Sequence, residues 1–169
     1  MKRKFTIVIM SCCLLLLLSA CNKSVEERAE ETVKVATETF GNETDTEKET
    51  VANFQMYVPK KFEVKDQTDE QNIILYKGNQ PFILFVNPNE KTDSQLFYNL
   101  LKDSGDATII AEKTFEKENV FGFAAVLESD DAHVELVANI GGKKMTTITK
   151  NKQMTEDMER MIEMLNSIE

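Results

Sequence analysis

NIILYKGNQPFILFV, residues 72–86, holds two short apolar runs separated by a polar loop. Within each run the apolar side chains are consecutive, so both faces of the segment are apolar, which is typical of a strand buried on both sides. The loop between the runs, residues 77–81, contains Gly78 and Pro81 and predicts a hairpin. We therefore expect these two strands to be central in a sheet that is covered on both faces.

Further strands are predicted on either side of this hairpin. Residues 51–58 alternate apolar and polar side chains, which predicts one strand ending at Pro59, and residues 62–64 continue the pattern. Gly141 and Gly142 predict a tight turn between two of the later strands. The four strands expected later in the chain cover residues 107–115, 120–127, 133–140 and 145–149.

The first predicted helix begins at Ser24 and ends at Phe40. Ser24 and Glu27 have the spacing of a capping box, in which each side chain bonds the backbone N–H of the other residue. Apolar residues at helical spacing form one narrow stripe, which leaves two alternatives open. The helix is either a solvated stalk above a membrane, or it packs on the domain or on a partner helix. Residues 41–50 carry no apolar side chain and predict a flexible acidic linker.

Two more helices are predicted after the central hairpin. The second covers residues 94–104 and is capped by Asp93 or Ser94, and the last covers residues 156–168 and is capped by Thr155. Both carry an apolar stripe that is typical of a helix packed on a core. The residues expected to face inward are Leu96, Phe97, Leu100 and Leu101 in the second helix, and Met158, Met161, Ile162, Leu165 and Ile168 in the last.

The predicted order is helix, linker, four strands, helix, four strands, helix. This order predicts an α+β fold, in which a mostly antiparallel sheet built from two meanders is packed with two or three helices. Residues 58–64, VPKKFEV, place a proline break between two strands. With this stretch the order resembles the Mog1/PsbP-like fold, and that resemblance implies an architecture but no activity.

The N-terminal 21 residues have the layout of a secretory signal, with basic residues at positions 2–4, an apolar run over residues 5–18 and small residues before Cys21. As a helix the run would measure about 21 Å, against about 30 Å of hydrocarbon in a bilayer, so a permanent transmembrane helix is the weaker interpretation. Residues 18–21, Leu-Ser-Ala-Cys, resemble the lipobox of bacterial lipoproteins.

That resemblance implies a lipid anchor on Cys21. In lipoproteins the cysteine sulfur receives a diacylglyceryl group and a signal peptidase cleaves before the cysteine, and two acyl chains give stable attachment. The implied organisation is a signal peptide over residues 1–20, a lipidated tail over 21–50 and an extracytoplasmic domain over 51–169. The chain resembles small Bacillus-type lipoproteins, which implies the outer face of a Gram-positive cell membrane. An ordinary cleaved signal with a chance Cys21 is the alternative.

The charge balance limits the partners of the chain. Removal of residues 1–20 leaves 17 of the 20 basic residues against 29 acidic ones, a net charge of about −12. Nucleic-acid binding needs a clustered basic surface, so we expect no nucleic-acid partner. Basic segments are also what hold a protein flat on anionic lipid, so we expect the domain itself to stand off the bilayer.

The cysteine content limits the chemistry. Cys12 and Cys13 lie in the leader and Cys21 is the expected lipidation site, so the predicted domain holds neither a free thiol nor a disulfide. This argues against a cysteine nucleophile, a thioredoxin-like activity and a cysteine-ligated metal.

One acidic hairpin holds the single histidine, His133. A Ser-His-Asp system would have to use this residue, but the chain has no Gly-x-Ser-x-Gly turn to present a nucleophile. The neighbouring carboxylates offer a second hypothesis, a divalent-cation site, against the default of a solvated turn. They are Glu128, Asp130, Asp131 and Glu135. We expect no catalytic residue, metal or cofactor.

Four methionines crowd the last helix, at positions 154, 158, 161 and 164. Methionine-rich surfaces adapt to varied apolar partners, whereas methionines at helical spacing are typical of a core. Met154, Met158, Met161 and Met164 therefore form a candidate partner or ligand surface, with core packing as the alternative. Met154 and Met164 lie at the edge of the apolar stripe and are the two expected to be exposed.

Three functions remain open from the sequence. The first is a non-enzymatic, lipid-anchored protein that binds a protein partner in the cell envelope. The second is a carrier that holds a small apolar ligand between the sheet and the helices, with the methionine-rich helix as one wall. The third, and the weakest, is a hydrolase, because the 29 acidic residues provide many carboxylate pairs and none stands out.

Overall fold

The computed structural model describes residues 23–42, 47–67, 71–105 and 107–169. These residues form three helices and nine strands. In chain order they are α1 (Val25–Thr39), β1 (Glu49–Val51), β2 (Phe54–Met56), β3 (Phe62–Gln67), β4 (Asn72–Lys77), β5 (Gln80–Val86), α2 (Leu96–Asp103), β6 (Ile109–Lys117), β7 (Val120–Glu128), β8 (His133–Ile140), β9 (Lys143–Lys150) and α3 (Met154–Ser167).

Seven strands form one antiparallel sheet in the order β3-β4-β5-β9-β8-β7-β6. Two meanders, β3 to β5 and β6 to β9, meet where β5 pairs with β9 and Leu84 lies opposite Met145. The predicted α+β fold, an antiparallel sheet of two meanders packed with helices, is thereby confirmed.

Residues 51–58 do not form the single strand that their alternation predicted. They contribute instead to a separate two-stranded hairpin of β1 and β2. The turn needs Ala52 at a φ of 54°, a conformation that favours glycine and that an apolar pattern does not reveal. Residues 49 and 50 of the predicted linker belong to β1, and residues 43–46 lie outside the described residues.

Helices α1 and α3 lie side by side on one face of the sheet. Ala29, Val33 and Ala36 of α1 are buried in the core that α3 and the strands share, so the described part of α1 is a packed element and not a solvated stalk. Thr155 was predicted to cap α3 but lies inside its first turn, because the helix begins at Met154, two residues earlier than expected. Its hydroxyl oxygen is 2.8 Å from that of Thr32, across the two helices.

The helix starts were predicted with mixed success. The capping box at α1 is confirmed, because Ser24 Oγ accepts from the backbone N–H of Glu27 at 3.1 Å and Glu27 Oε2 accepts from that of Ser24 at 3.0 Å. Helix α2 begins after Gln95, which makes no side-chain cap bond, and not after Asp93 or Ser94 as expected.

Helix α2 packs on the other face of the sheet. The inward set predicted for it is partly wrong, because Leu96 is 39% exposed and Leu100 is 56% exposed. The residues that face the sheet are Phe97, Tyr98 and Leu101. Relative to the prediction, the helix is rotated about its axis, so that Tyr98 faces the sheet and Leu96 and Leu100 face outward.

Strands β4 and β5 are inner strands, but they are not covered on both faces as residues 72–86 predicted. Ile83 of β5 is 46% exposed on the face where α2 lies. Seven strands spaced about 4.8 Å apart span about 29 Å, whereas a helix is about 10 Å across. One short helix cannot cover that width, and α2 packs over β7 and β8, which are buried on both faces.

A buried carboxylate joins α3 to three strands. The side chain of Asp157 is fully buried and accepts from Lys77 Nζ at 2.7 Å, from Gln80 Nε2 at 3.1 Å and from the hydroxyl of Thr149. Burial opposes the charged form of Lys77, but the hydrogen bonds and charges of Asp157 and Glu156 outweigh it and raise the Lys77 pKa. The contribution of Lys77 to stability is therefore complete below its unfolded pKa of 10.5 and is lost as the pH rises through the higher folded pKa.

Candidate functional site

A cleft of about 570 Å³ opens at one end of the sheet. Six chain segments meet there: the end of α1, strand β2, the loop after β5, the turn between β6 and β7, the turn between β8 and β9, and the end of α3 with the residues that follow it. Its apolar walls are Phe40, Phe54, Val86, Val120, Ile140 and Ile168. The volume falls within the range of about 300–1,000 Å³ that is usual for small-molecule sites.

The β8–β9 turn forms one wall because its glycines permit close packing. A Cβ atom on Gly142 would lie 2.5 Å from the carbonyl oxygen of Asn87, and one on Gly141, whose φ is +55°, would lie 2.9 Å from Thr92 Cα. Asn139 stabilises the turn, because its Nδ2 donates hydrogen bonds to the carbonyl oxygens of Gly141 and Lys143, both at 2.8 Å. The predicted hairpin turn is confirmed, and it is packed against the loop after β5.

Lys143 is the cation that lines this cleft most deeply. Its side chain is partly buried, and its Nζ donates to the carbonyl oxygen of Ile168 at 3.1 Å. Burial, and secondarily the charge of Lys48, lowers the Lys143 pKa. Lys143 forms no ion pair with any carboxylate of the described residues. Sequence reasoning missed this residue because Gly-Gly-Lys-Lys predicts only a turn.

The other charges at the cleft lie nearer its rim. Lys117 is exposed and donates to the carbonyl oxygen of Gly41 at 3.0 Å. Glu169 pairs with Lys48 at 2.6 Å, and its backbone exchanges hydrogen bonds with Gln55 at 3.3 and 3.0 Å, which holds the chain end beside β2. Glu90, Glu118 and Glu169 give the rim an acidic character.

A second groove, of about 670 Å³, lies beside β3 and α3 and is lined by several cations. Three of them already have carboxylate partners, since Lys48 pairs with Glu169, Lys77 with Asp157 and Arg160 with Glu163. Lys60 and Lys61 are exposed at its edge. This groove therefore offers surface lysines and not a buried, unpaired cation.

A different feature is an uncovered apolar area on the sheet. Within the described residues four large apolar side chains are exposed, namely Ile83, Ile148, Leu96 and Leu100. All four lie on one side of the molecule, because Ile83 and Ile148 project from the sheet face on which α2 packs and the two leucines are on α2 itself.

We call the uncovered part of this sheet face the open face and define it by Ile74, Tyr76, Pro81, Ile83 and Ile148. The pairs Ile74 with Ile83 and Tyr76 with Pro81 lie directly opposite each other on β4 and β5, so their side chains share a face. Ile148 is two residues beyond Thr146, the partner of Ile83 on β9, and so lies on the same face. The open face is apolar, and Pro81 and Ile148 also line a shallow groove of about 460 Å³ at its edge.

The four methionines do not form the surface considered from the sequence. Met154 is 1% exposed, and Met158, Met161 and Met164 are fully buried in the core under α1 and α3. The expectation that Met154 and Met164 are exposed is wrong, because α1 packs beside α3 and covers the edge of its stripe. None of the four lines the end cleft, so a ligand there would contact α3 at Asn166 and not at its methionines.

The acidic hairpin around His133 is a local turn. Asp130 Oδ1 accepts from the backbone N–H groups of Ala132 at 2.8 Å and His133 at 2.9 Å, and it lies 2.9 Å from His133 Nδ1. These hydrogen bonds lower the Asp130 pKa, and the bond from the backbone N–H of Ala132 contributes most. Across residues 23–42, 47–67, 71–105 and 107–169, no group of three or more His, Cys, Asp or Glu side chains is placed to hold a metal ion.

Cys21 and the rest of residues 1–22 lie outside the described residues, so the lipid anchor stays a prediction from the sequence. No helix in the described part of the chain is both long and apolar enough to cross a bilayer.

The architecture defines an α+β protein with a seven-stranded antiparallel sheet. No protein-family profile matches the sequence, and no curated protein matches it. Among solved structures the chain is similar to cyanobacterial PsbP (CyanoP) from Synechocystis sp. PCC 6803. The TM-score is 0.41 at 10% sequence identity, covering 69% of this chain and 85% of that one. At this similarity no residue role or activity can be transferred.

Proposed function

We propose that this chain is a lipid-anchored, extracytoplasmic protein without catalytic activity that binds a protein partner in the cell envelope. The leader and the Leu-Ser-Ala-Cys sequence at residues 18–21 support the anchor on Cys21. One observation supports the partner: the exposed large apolar side chains of the described residues gather on the side of the open face. Contiguous exposed apolar patches on monomers commonly mark interaction sites.

The chemistry of the open face favours one kind of partner. Because the face is more open to solvent than the end cleft, it suits the surface of another protein better than a small ligand. Charges of both signs border it. Glu63 lies opposite Tyr76 but pairs with Lys65 at 3.5 Å, and Lys65 Nζ lies 5.4 Å from the centre of the Tyr76 ring. Glu135 lies opposite Ile148, and Lys150 is two residues further along the same strand face. The partner is therefore an envelope protein that presents an apolar surface with a mixed-charge rim, including a cation that faces Glu135. An anionic membrane is a poor occupant, because the net charge after removal of residues 1–20 is about −12.

A photoreactive amino acid placed at position 83 in the full chain, in living cells, tests this proposal. We expect one discrete adduct with another envelope protein. In the same photoreactive chain, Ile148→Glu reduces the yield of this adduct at least about tenfold, as at an interface hot spot. Glu135→Lys also lowers the yield, because it places a lysine against the partner's cation. The matched control places the photoreactive residue at Glu38, an exposed position on α1 across the sheet, and gives no adduct.

Three results would overturn the partner proposal. An adduct of twice the chain mass would indicate a second copy of this chain, and a phospholipid adduct would indicate the membrane as the occupant. An adduct yield that is the same from positions 83 and 38, or that ignores Ile148→Glu, would show that the open face has no specific partner.

A second candidate function is that of a carrier for a small apolar ligand, because the cleft has the volume and the apolar walls of a small-molecule site. The ligand would sit at the end of the sheet and not between the sheet and α3, where buried methionines fill the space.

A further inference from the structure

We infer that the end cleft binds a small monocarboxylate with an apolar body, and that its carboxylate pairs with the ammonium group of Lys143. This inference rests on the carrier function and names its ligand class.

Lys143 has unused bonding capacity. A lysine ammonium has three N–H donors, and in the described residues one of them bonds the carbonyl oxygen of Ile168. A lysine that is taken partly out of water normally has an anionic partner, because burial disfavours an unpaired charge. Lys143 has none among the described carboxylates, and burial, followed by the charge of Lys48, lowers its pKa. An anionic ligand would supply the missing partner.

The surroundings of Lys143 select the charge of that ligand. Glu90 and Glu118 line the cleft without an ion pair among the described residues, whereas Glu169 pairs with Lys48 and the exposed Lys117 is the second lining cation. The two unpaired carboxylates repel a doubly charged group such as a phosphate monoester more strongly than a singly charged one. The single buried cation, Lys143, matches one negative charge. A monocarboxylate is therefore favoured over more highly charged anions.

The walls select the rest of the molecule. Away from Lys143 the cleft is bounded by aliphatic and aromatic side chains, including Val86, Val120 and Ile140. An apolar body placed there would remove these side chains from water, which stabilises the complex by about 25 cal/mol for each Å² buried. A small polar acid such as acetate would lack this contribution.

The test uses the full lipidated chain in lipid nanodiscs and two probes that differ only in charge: decanoic acid and decanol, each with a diazirine on the chain. Mass spectrometry of the digested protein locates the label. We expect decanoate to label residues 86–92 and 140–143 saturably, with competition by unlabelled decanoate. Lys143→Met should raise the half-saturating concentration of decanoate at least about tenfold, as for a lost hydrogen bond to a charged group.

Two controls separate the charge from the fold. Lys117→Met removes an exposed amine from the same cleft and should change decanoate labelling about twofold or less. Decanol labelling should be the same in wild type and Lys143→Met, which also reports that the cleft of the variant is intact. If Lys143→Met fails that check, Lys143→Gln replaces it, because glutamine keeps a donor for the carbonyl oxygen of Ile168.

The outcomes distinguish a failure of the monocarboxylate inference from a failure of the carrier function on which it rests. If decanoate and decanol label the cleft equally and Lys143→Met changes neither, the cleft carries apolar ligands but the monocarboxylate inference is wrong. If neither probe labels the cleft saturably, the carrier function fails and the inference fails with it.

Discussion

Asp157→Ala should lower the free energy of unfolding by about 3 kcal/mol. Removal of one partner from a buried ion pair typically costs about 3–5 kcal/mol, because the other charge is left uncompensated. We expect the lower end of that range, since Glu156 lies 3.1 Å from Lys77 and would still pair with it. Gln80 and Thr149 would also lose their acceptor. Urea unfolding of the purified protein, followed by circular dichroism, measures the change.

Glu156→Ala is the matched control, because Glu156 pairs with the same lysine from the same helix. Its side chain is 57% exposed whereas that of Asp157 is fully buried. Exposed pairs contribute about 0–1 kcal/mol, so this change should cost less than about 1 kcal/mol. Equal losses for the two variants would contradict the larger contribution expected of the buried carboxylate of Asp157.

Met161→Ala should lower the free energy of unfolding by about 3 kcal/mol, and this is the second large effect. Met161 is fully buried, so truncation removes apolar contacts and leaves a cavity between α3 and the sheet. Truncation of buried Leu, Ile or Met to Ala typically costs about 2–5 kcal/mol. The measurement is again urea unfolding, with the slope against urea checked for a change in cooperativity.

Met161→Leu keeps the volume and should cost less than about 1.5 kcal/mol. If Met161→Ala itself cost only a few tenths of a kcal/mol, the residue would behave as exposed surface, and the methionines would again be candidates for a binding surface.

Some local signals in the sequence predicted the local structure. The capping box at Ser24 and Glu27 was predictable because its two hydrogen bonds lie within one turn of the chain. The four strands after α2 were predictable as short runs separated by turn residues, because these signals are local in the chain. The turn at Gly141 and Gly142 was predictable for the same reason, since glycine tolerates the positive φ found at Gly141.

Features that depend on distant packing were not predictable. The run at residues 82–86 is apolar on both faces, yet Ile83 is exposed because α2 is too narrow to cover the whole sheet. The burial of Met154 and Met164 depends on α1, which is more than a hundred residues away in sequence and whose docking the stripe left undecided. The position of Lys143 in a cleft was not predictable, because Ile168 and Glu169, which close one side of that cleft, are distant from Lys143 in sequence.

The proposed function depends on the anchor at Cys21, and membrane fractionation combined with intact mass tests it most directly. Wild type and Cys21→Ala are compared in the native host, with Cys13→Ala as the control, because Cys13 lies in the predicted leader. We predict that wild type and Cys13→Ala are membrane-bound, lack residues 1–20 and carry a diacylglyceryl group, and that Cys21→Ala is neither cleaved nor lipidated. An unmodified Cys21 in a protein released free from wild-type cells would contradict the anchor and indicate a diffusible binding protein.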